Sequence, residues 1–157
     1  YEPCYPTDGT AVPIGVATTT VVDFNLAPKG AVSGTIRDAV SGAPLEGIRV
    51  LAWHPTQEIV DSEYTDNQGQ YSFPRLVPGT HYVVSDDWGE FVDELYDGLP
   101  CYGGPPEGCD PTKGAPIEVL SGQTITGIDL YLLNQSLVVF MDGFESGATV
   151  AWTTVEP

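Results

Sequence analysis

Apolar and polar residues alternate in short runs along most of this chain, and turn formers close each run. Val32, Gly34 and Ile36 alternate with Ser33, Thr35 and Arg37; Ile48, Val50 and Ala52 alternate with Arg49, Leu51 and Trp53. A period of two marks a half-buried strand, because successive side chains point to opposite faces. The same reasoning predicts strands over 58–64, 70–73, 81–86, 91–96, 116–120 and 124–132. Between them lie Ser41-Gly42-Ala43-Pro44, Asp66-Asn67-Gln68-Gly69, Pro78-Gly79 and Gly103-Gly104-Pro105-Pro106. Residues 88–96 are the one helix candidate, but Phe91, Val92 and Leu95 make too thin a stripe, so strand or irregular structure is expected there. Short strands at this spacing read as an all-β, antiparallel sandwich.

Composition narrows the class. The chain has 157 residues, 41% of them hydrophobic, enough for one packed domain. Five Lys and Arg face 22 Asp and Glu, a formal net charge of −17. That balance argues against nucleic acid and anionic membranes, which both require a basic footprint. The longest apolar run, Leu137 to Met141, is too short for a membrane span, so no membrane insertion is expected. No signal-like leader follows Tyr1. The acidity, the scarcity of Lys, the single Met and the cysteine spacing point to a secreted, extracellular or cell-surface protein.

The chain also resembles itself. Cys4-Tyr5-Pro6-Thr7-Asp8-Gly9 matches Cys109-Asp110-Pro111-Thr112-Lys113-Gly114, and Pro13-Ile14-Gly15-Val16 matches Pro116-Ile117-Glu118-Val119. Val22-Asp23-Phe24-Asn25-Leu26 then matches Ile128-Asp129-Leu130-Tyr131-Leu132. Three blocks in one order indicate a tandem repeat. Residues 1–27 read as the closing segment of a preceding copy or as an N-terminal donor strand. Residues 28–133 read as one whole copy, and 134–157 as a C-terminal strand tail containing Asp142-Gly143-Phe144-Glu145-Ser146-Gly147.

The whole copy carries Gly34-Thr35-Ile36-Arg37-Asp38 and Pro44-Leu45-Glu46-Gly47-Ile48-Arg49-Val50. Tyr64-Thr65-Asp66, Gly69-Gln70-Tyr71-Ser72-Phe73, Pro78-Gly79 and Tyr82-Val83-Val84 follow. In this order the motifs resemble the carboxypeptidase regulatory-like family, a transthyretin-type (prealbumin-like) β-sandwich grouped with Cna B-type modules. The resemblance implies a seven-stranded Greek-key sandwich serving as a non-catalytic spacer, stability or adhesion module of secreted proteins. Some relatives form an intramolecular isopeptide from a first-strand Lys. Arg37 stands at that place here, and a guanidinium cannot act as the amine nucleophile.

Several groups could carry chemistry. Cys101 and Cys109 flank a Gly/Pro-rich loop short enough to bring them within disulfide range, which leaves Cys4 unpaired or intermolecular. Asp86, Asp87, Glu90, Asp93 and Glu94 form an acidic stretch that reads as a solvated face or, alternatively, as a Ca²⁺ site. No other cofactor is implied. Trp53 and Trp88 are candidates for sugar stacking or for ordinary packing. His54 and His81 read as surface or edge residues, and no catalytic motif is recognisable. The expected function is a non-catalytic structural or adhesive module, a spacer or assembly unit that partners neighbouring copies by strand exchange. The alternative is a carbohydrate-binding module, with a starch-binding-like sandwich, that contacts polysaccharide.

Overall fold

A computed structural model describes residues 9–17, 19–56 and 58–137. Cys4 and the predicted strands after Leu137 lie outside the described residues. Ten strands are present among those described: β1 (Gly30–Asp38), β2 (Arg49–Trp53), β3 (Ile59–Tyr64), β4 (Gln70–Leu76), β5 (Gly79–Ser85), β6 (Phe91–Leu95), β7 (Leu99–Cys101), β8 (Ile117–Val119), β9 (Thr124–Ile125) and β10 (Leu130–Asn134). The other regular elements described are short 3₁₀ turns at Pro111–Lys113 and Gln135–Leu137. The all-β expectation holds, and the region around residues 91–95 is strand rather than helix.

The strands run β3-β2-β5-β6-β10-β1-β4, with β7 on β6, β8 on β5 and β9 on β1. This sheet curls around the core, and it is mixed where an antiparallel, seven-stranded arrangement was expected. The first and last strands lie side by side in parallel, Ile36 opposite Leu130 and Asp38 opposite Leu132. β9 also pairs with β1 in parallel. The reason is topological: the chain returns from β8 across the barrel-like curl to lie between β6 and β1. Alternation reports which face of a strand is buried and carries no information about the direction of its neighbours.

One predicted strand, 124–132, is split into β9 and β10. Gly127 takes a left-handed φ of 79° between them, and the chain swings across Gly34. There the ladder on β1 is completed by other groups: Thr35 N–H and Oγ1 both donate to Asp129 Oδ1, at 2.8 and 3.0 Å. Tyr71 Oη donates to the Ile128 carbonyl at 2.6 Å.

Inward residues of the alternating runs fill the main core: Val32, Ile36, Val50, Phe73, Val83, Leu130 and Leu132 are each at most 1% exposed. Asp66-Asn67-Gln68-Gly69 makes the turn into β4. Asp66 Oδ1 accepts from the Gln68 and Gln70 N–H groups, and Gly69 has the φ of 74° that suits glycine. A second cluster, Leu51, Trp53, Val84, Leu95 and Cys101, lies on the opposite face of β2 and β5, so these central strands are buried on both sides. Burial corrects two expectations. Trp53 is 3% exposed and offers no face to a sugar. His81, on β5 between β2 and β8, is fully buried, with Nε2 2.8 Å from the Val77 carbonyl and Nδ1 without a hydrogen-bond partner.

Candidate functional site

The acidic stretch is divided by strand geometry. Ser85 ends β5, and Asp86 and Asp87 begin the tight turn that leads into β6. Asp87 Oδ2 closes that turn by accepting from the N–H groups of Glu90 and Phe91, at 3.0 and 2.9 Å. Trp88, at the turn's tip, is 89% exposed. Asp93 points back under the turn, where its Oδ1 accepts from Ser85 Oγ at 2.9 Å and from Asp87 N–H at 2.6 Å. Arg49 reaches across from β2, and its Nη1 donates to Asp86 Oδ2 at 2.9 Å.

The facing wall is the disulfide loop. Cys101 and Cys109 are bridged, with their Cα atoms 5.3 Å apart. β7 pairs with β6, Cys101 opposite Asp93, so the loop that the bridge closes lies beside the acidic turn. Gly108 N–H donates to the Gly104 carbonyl at 2.7 Å and folds the loop inward. Between the walls is an open cleft of about 550 Å³, lined by Asp86, Asp93, Trp88, Tyr102, Glu107 and Gln135, with Asp87 among its other lining residues. A Cβ built on Gly104 would lie 3.9 Å from both Asp86 Oδ1 and Asp93 Oδ2, so these two oxygens converge on one point.

Asp86 and Asp93 are 6% and 5% exposed. Burial pushes the Asp93 carboxyl up to about 6, against the pull of its two hydrogen bonds and with help from the charges of Asp86 and Asp87. Glu94 alternates to the other face of β6. Its Oε2 accepts from Tyr131 N–H at 3.2 Å, and burial raises its carboxyl too. Glu90 contributes its backbone to the turn, its carbonyl accepting from Gln135 N–H. Of the five acidic candidates, therefore, Asp86, Asp87 and Asp93 come together and Glu90 and Glu94 do not join them. Among the described residues, no three His, Cys, Asp or Glu side chains are grouped to hold a metal ion. Sequence reasoning missed Arg49, Tyr102, Glu107 and Gln135. A hairpin from β6 into the Cys101 strand was the available signal for Tyr102 and Glu107; Arg49 and Gln135 had none.

The raised Asp93 has a stability consequence. A folded-state value above the ordinary one means that its favourable contribution is complete at acidic pH and is lost as pH rises through about 6. Asp93→Asn keeps an oxygen for Ser85 and Asp87 and removes the titration. Between pH 5 and pH 7.5, the parent chain should lose about 1 kcal/mol more unfolding free energy than the variant. Parallel urea titrations of the two proteins check this.

The matched portion of the chain begins in β1 and ends at the floor of the cleft. Residues 31–87 match the carboxypeptidase regulatory-like domain family. The regulatory-like segment is about a third of the chain and takes in β1 to β5 with Asp86 and Asp87, which agrees with the motif resemblance. β6 to β10 and the disulfide loop lie beyond it. A search of curated protein sequences finds no match.

Solved structures with a similar chain path include the Bacillus anthracis TIE protein, at 17% identity over 67% of this chain and 16% of that one, TM-score 0.47. A variant of BcpA, the major pilin subunit of Bacillus cereus, is similar at 12% identity over 67% of this chain and 30% of that one, TM-score 0.47. A putative carbohydrate binding protein from Bacteroides uniformis is similar at 17% identity over 67% of this chain and 41% of that one, TM-score 0.42. The chain thus spans less than half the length of each of these structures.

Proposed function

We propose that this chain is a non-catalytic structural module of a secreted or surface-displayed bacterial protein, a spacer or assembly unit whose partner is a neighbouring copy. The observation that carries the reading is the segment ahead of β1. Residues 13–16 and 22–26 repeat the sequences of β8 and of the approach to β10, yet no strand is present among the described residues from 9 to 29. Ile14, Val16, Val21, Phe24 and Leu26 are between 79% and 99% exposed. In this fold β8 and β10 hold their places by pairing with β5, β1 and β6. A second set of such sequences, apolar and forming no strand among the described residues, is suited to completing the sheet of another copy by strand addition.

Light scattering across a concentration series tests the reading. The chain should form assemblies that grow with concentration, and the double variant Phe24→Asp, Leu26→Asp should stay monomeric with an unchanged melting temperature. A parent chain that is monomeric throughout would overturn the assembly reading.

A further inference from the structure

We propose that the cleft between the β5–β6 turn and the disulfide loop binds an organic cation, an ammonium or guanidinium head of the kind a Lys or Arg side chain presents, seated between Asp86 and Asp93 beneath Trp88 and Tyr102. Four observations converge on this ligand.

The first is an unmet hydrogen-bonding capacity. Asp86 and Asp93 are each more than nine-tenths buried, and each uses one oxygen: Asp86 Oδ2 for Arg49, Asp93 Oδ1 for Ser85 and Asp87. Among the described residues, Asp86 Oδ1 and Asp93 Oδ2 have no hydrogen-bond donor, and they converge on the point above Gly104. Both side chains line the cleft, so these oxygens are open to a ligand that supplies donors.

The second is polarity. The converging oxygens only accept hydrogen bonds. Ammonium and guanidinium groups only donate, whereas a sugar hydroxyl does both and would leave its lone pairs without donors at this floor. The third is charge. Asp86, Asp87, Asp93 and Glu107 line the cleft with no Lys or Arg among the lining residues, and Arg49 lies behind Asp86 as the nearby countercharge. The net charge of −17 adds a long-range field that draws cations in and gives a neutral ligand nothing. The fourth is the aromatic rim. Trp88 is 89% exposed and Tyr102 is 45% exposed, and each can cover a cation or its methylene stem. A divalent metal is less well served: Ca²⁺ takes six to eight oxygens, and Asp87 Oδ2 is already held by the turn.

The test is isothermal titration of the intact, oxidised chain with Nα-acetyl-arginine amide, Nα-acetyl-lysine amide and the neutral isostere Nα-acetyl-citrulline amide. Saturable binding of a cationic amide, at least about tenfold tighter than citrulline amide, is expected. Trp88→Ala and Asp93→Asn should each weaken it by about tenfold. Trp88 stands on an exposed turn, so its variant reads binding even if Asp93→Asn folds poorly. A free small cation and a side chain on a partner protein share this chemistry. Gly-Gly-Arg-Gly-Gly binding as tightly as the arginine amide identifies the partner side chain; binding of the amide alone identifies the small cation. Equal binding of arginine and citrulline amides overturns the proposal. So does saturation by maltose or CaCl₂ that is sensitive to Trp88→Ala while the cationic amides do not bind.

Discussion

Gly34→Ala should destabilise the protein by at least about 3 kcal/mol, enough to prevent folding of a marginally stable domain. A Cβ at residue 34 would sit far inside van der Waals contact with the Ile128 carbonyl oxygen and carbon, both of them backbone atoms. A flexible side chain could move aside; this carbonyl cannot, because it accepts the Tyr71 hydroxyl while Ile128 N–H donates to the Ser33 carbonyl at 3.2 Å. The crossing also sets Asp129 against Thr35, so displacing it would break the hydrogen bonds that replace the β1 ladder. Gly89→Ala is the control. Its added Cβ would meet nothing nearer than the Asp87 carboxylate oxygens at 3.9 Å, and a change within about 0.5 kcal/mol is expected. Urea unfolding of the two variants measures the contrast.

Removing the disulfide should have the next largest effect. The bridge closes a loop with a sequence separation of 8, for which the chain-entropy model gives roughly 2–3 kcal/mol. Cys101 is also 1% exposed within the cluster of Leu51, Trp53, Val84 and Leu95, so the bridge ties the loop to the core. The paired substitution Cys101→Ala, Cys109→Ala should therefore lower stability by about 3 kcal/mol. It should also free the loop that holds Tyr102, Gly104 and Glu107 against Asp86 and Asp93. Thermal unfolding with and without reductant reads the first effect. Amide exchange within residues 102–108 reads the second, and exchange there that is unchanged on bridge removal would contradict this role.

Much of the fold was legible because alternation reports burial directly. Val32, Ile36 and Val50 stand where the pattern placed them. Direction was not legible, since the parallel pairing of β1 with β10 depends on how a distant segment returns. Nor was double-sided burial: Leu51 and Trp53 fall on the polar-paired side of the β2 alternation, and the pattern cannot show that Leu95 of β6 and Cys101 of β7 join them in a second cluster. The site was half legible. Asp86, Asp87 and Asp93 were visible as an acidic run, whereas the alternation along β6 that sends Glu94 to the other face mattered more than the run itself. The second wall comes from Tyr102 and Glu107 and needed the Cys101–Asp93 register, which pairing supplies and local sequence does not.

Amide hydrogen exchange across residues 11–26, measured from dilute to concentrated solution, reads whether the segment pairs with a neighbouring copy. Amides at 22–26 should be unprotected in dilute solution and exchange at least about tenfold more slowly once assemblies form. Exchange at unstructured rates at every concentration would contradict that pairing, as would equal protection in the dilute monomer, which would mean that the segment folds back on its own sheet.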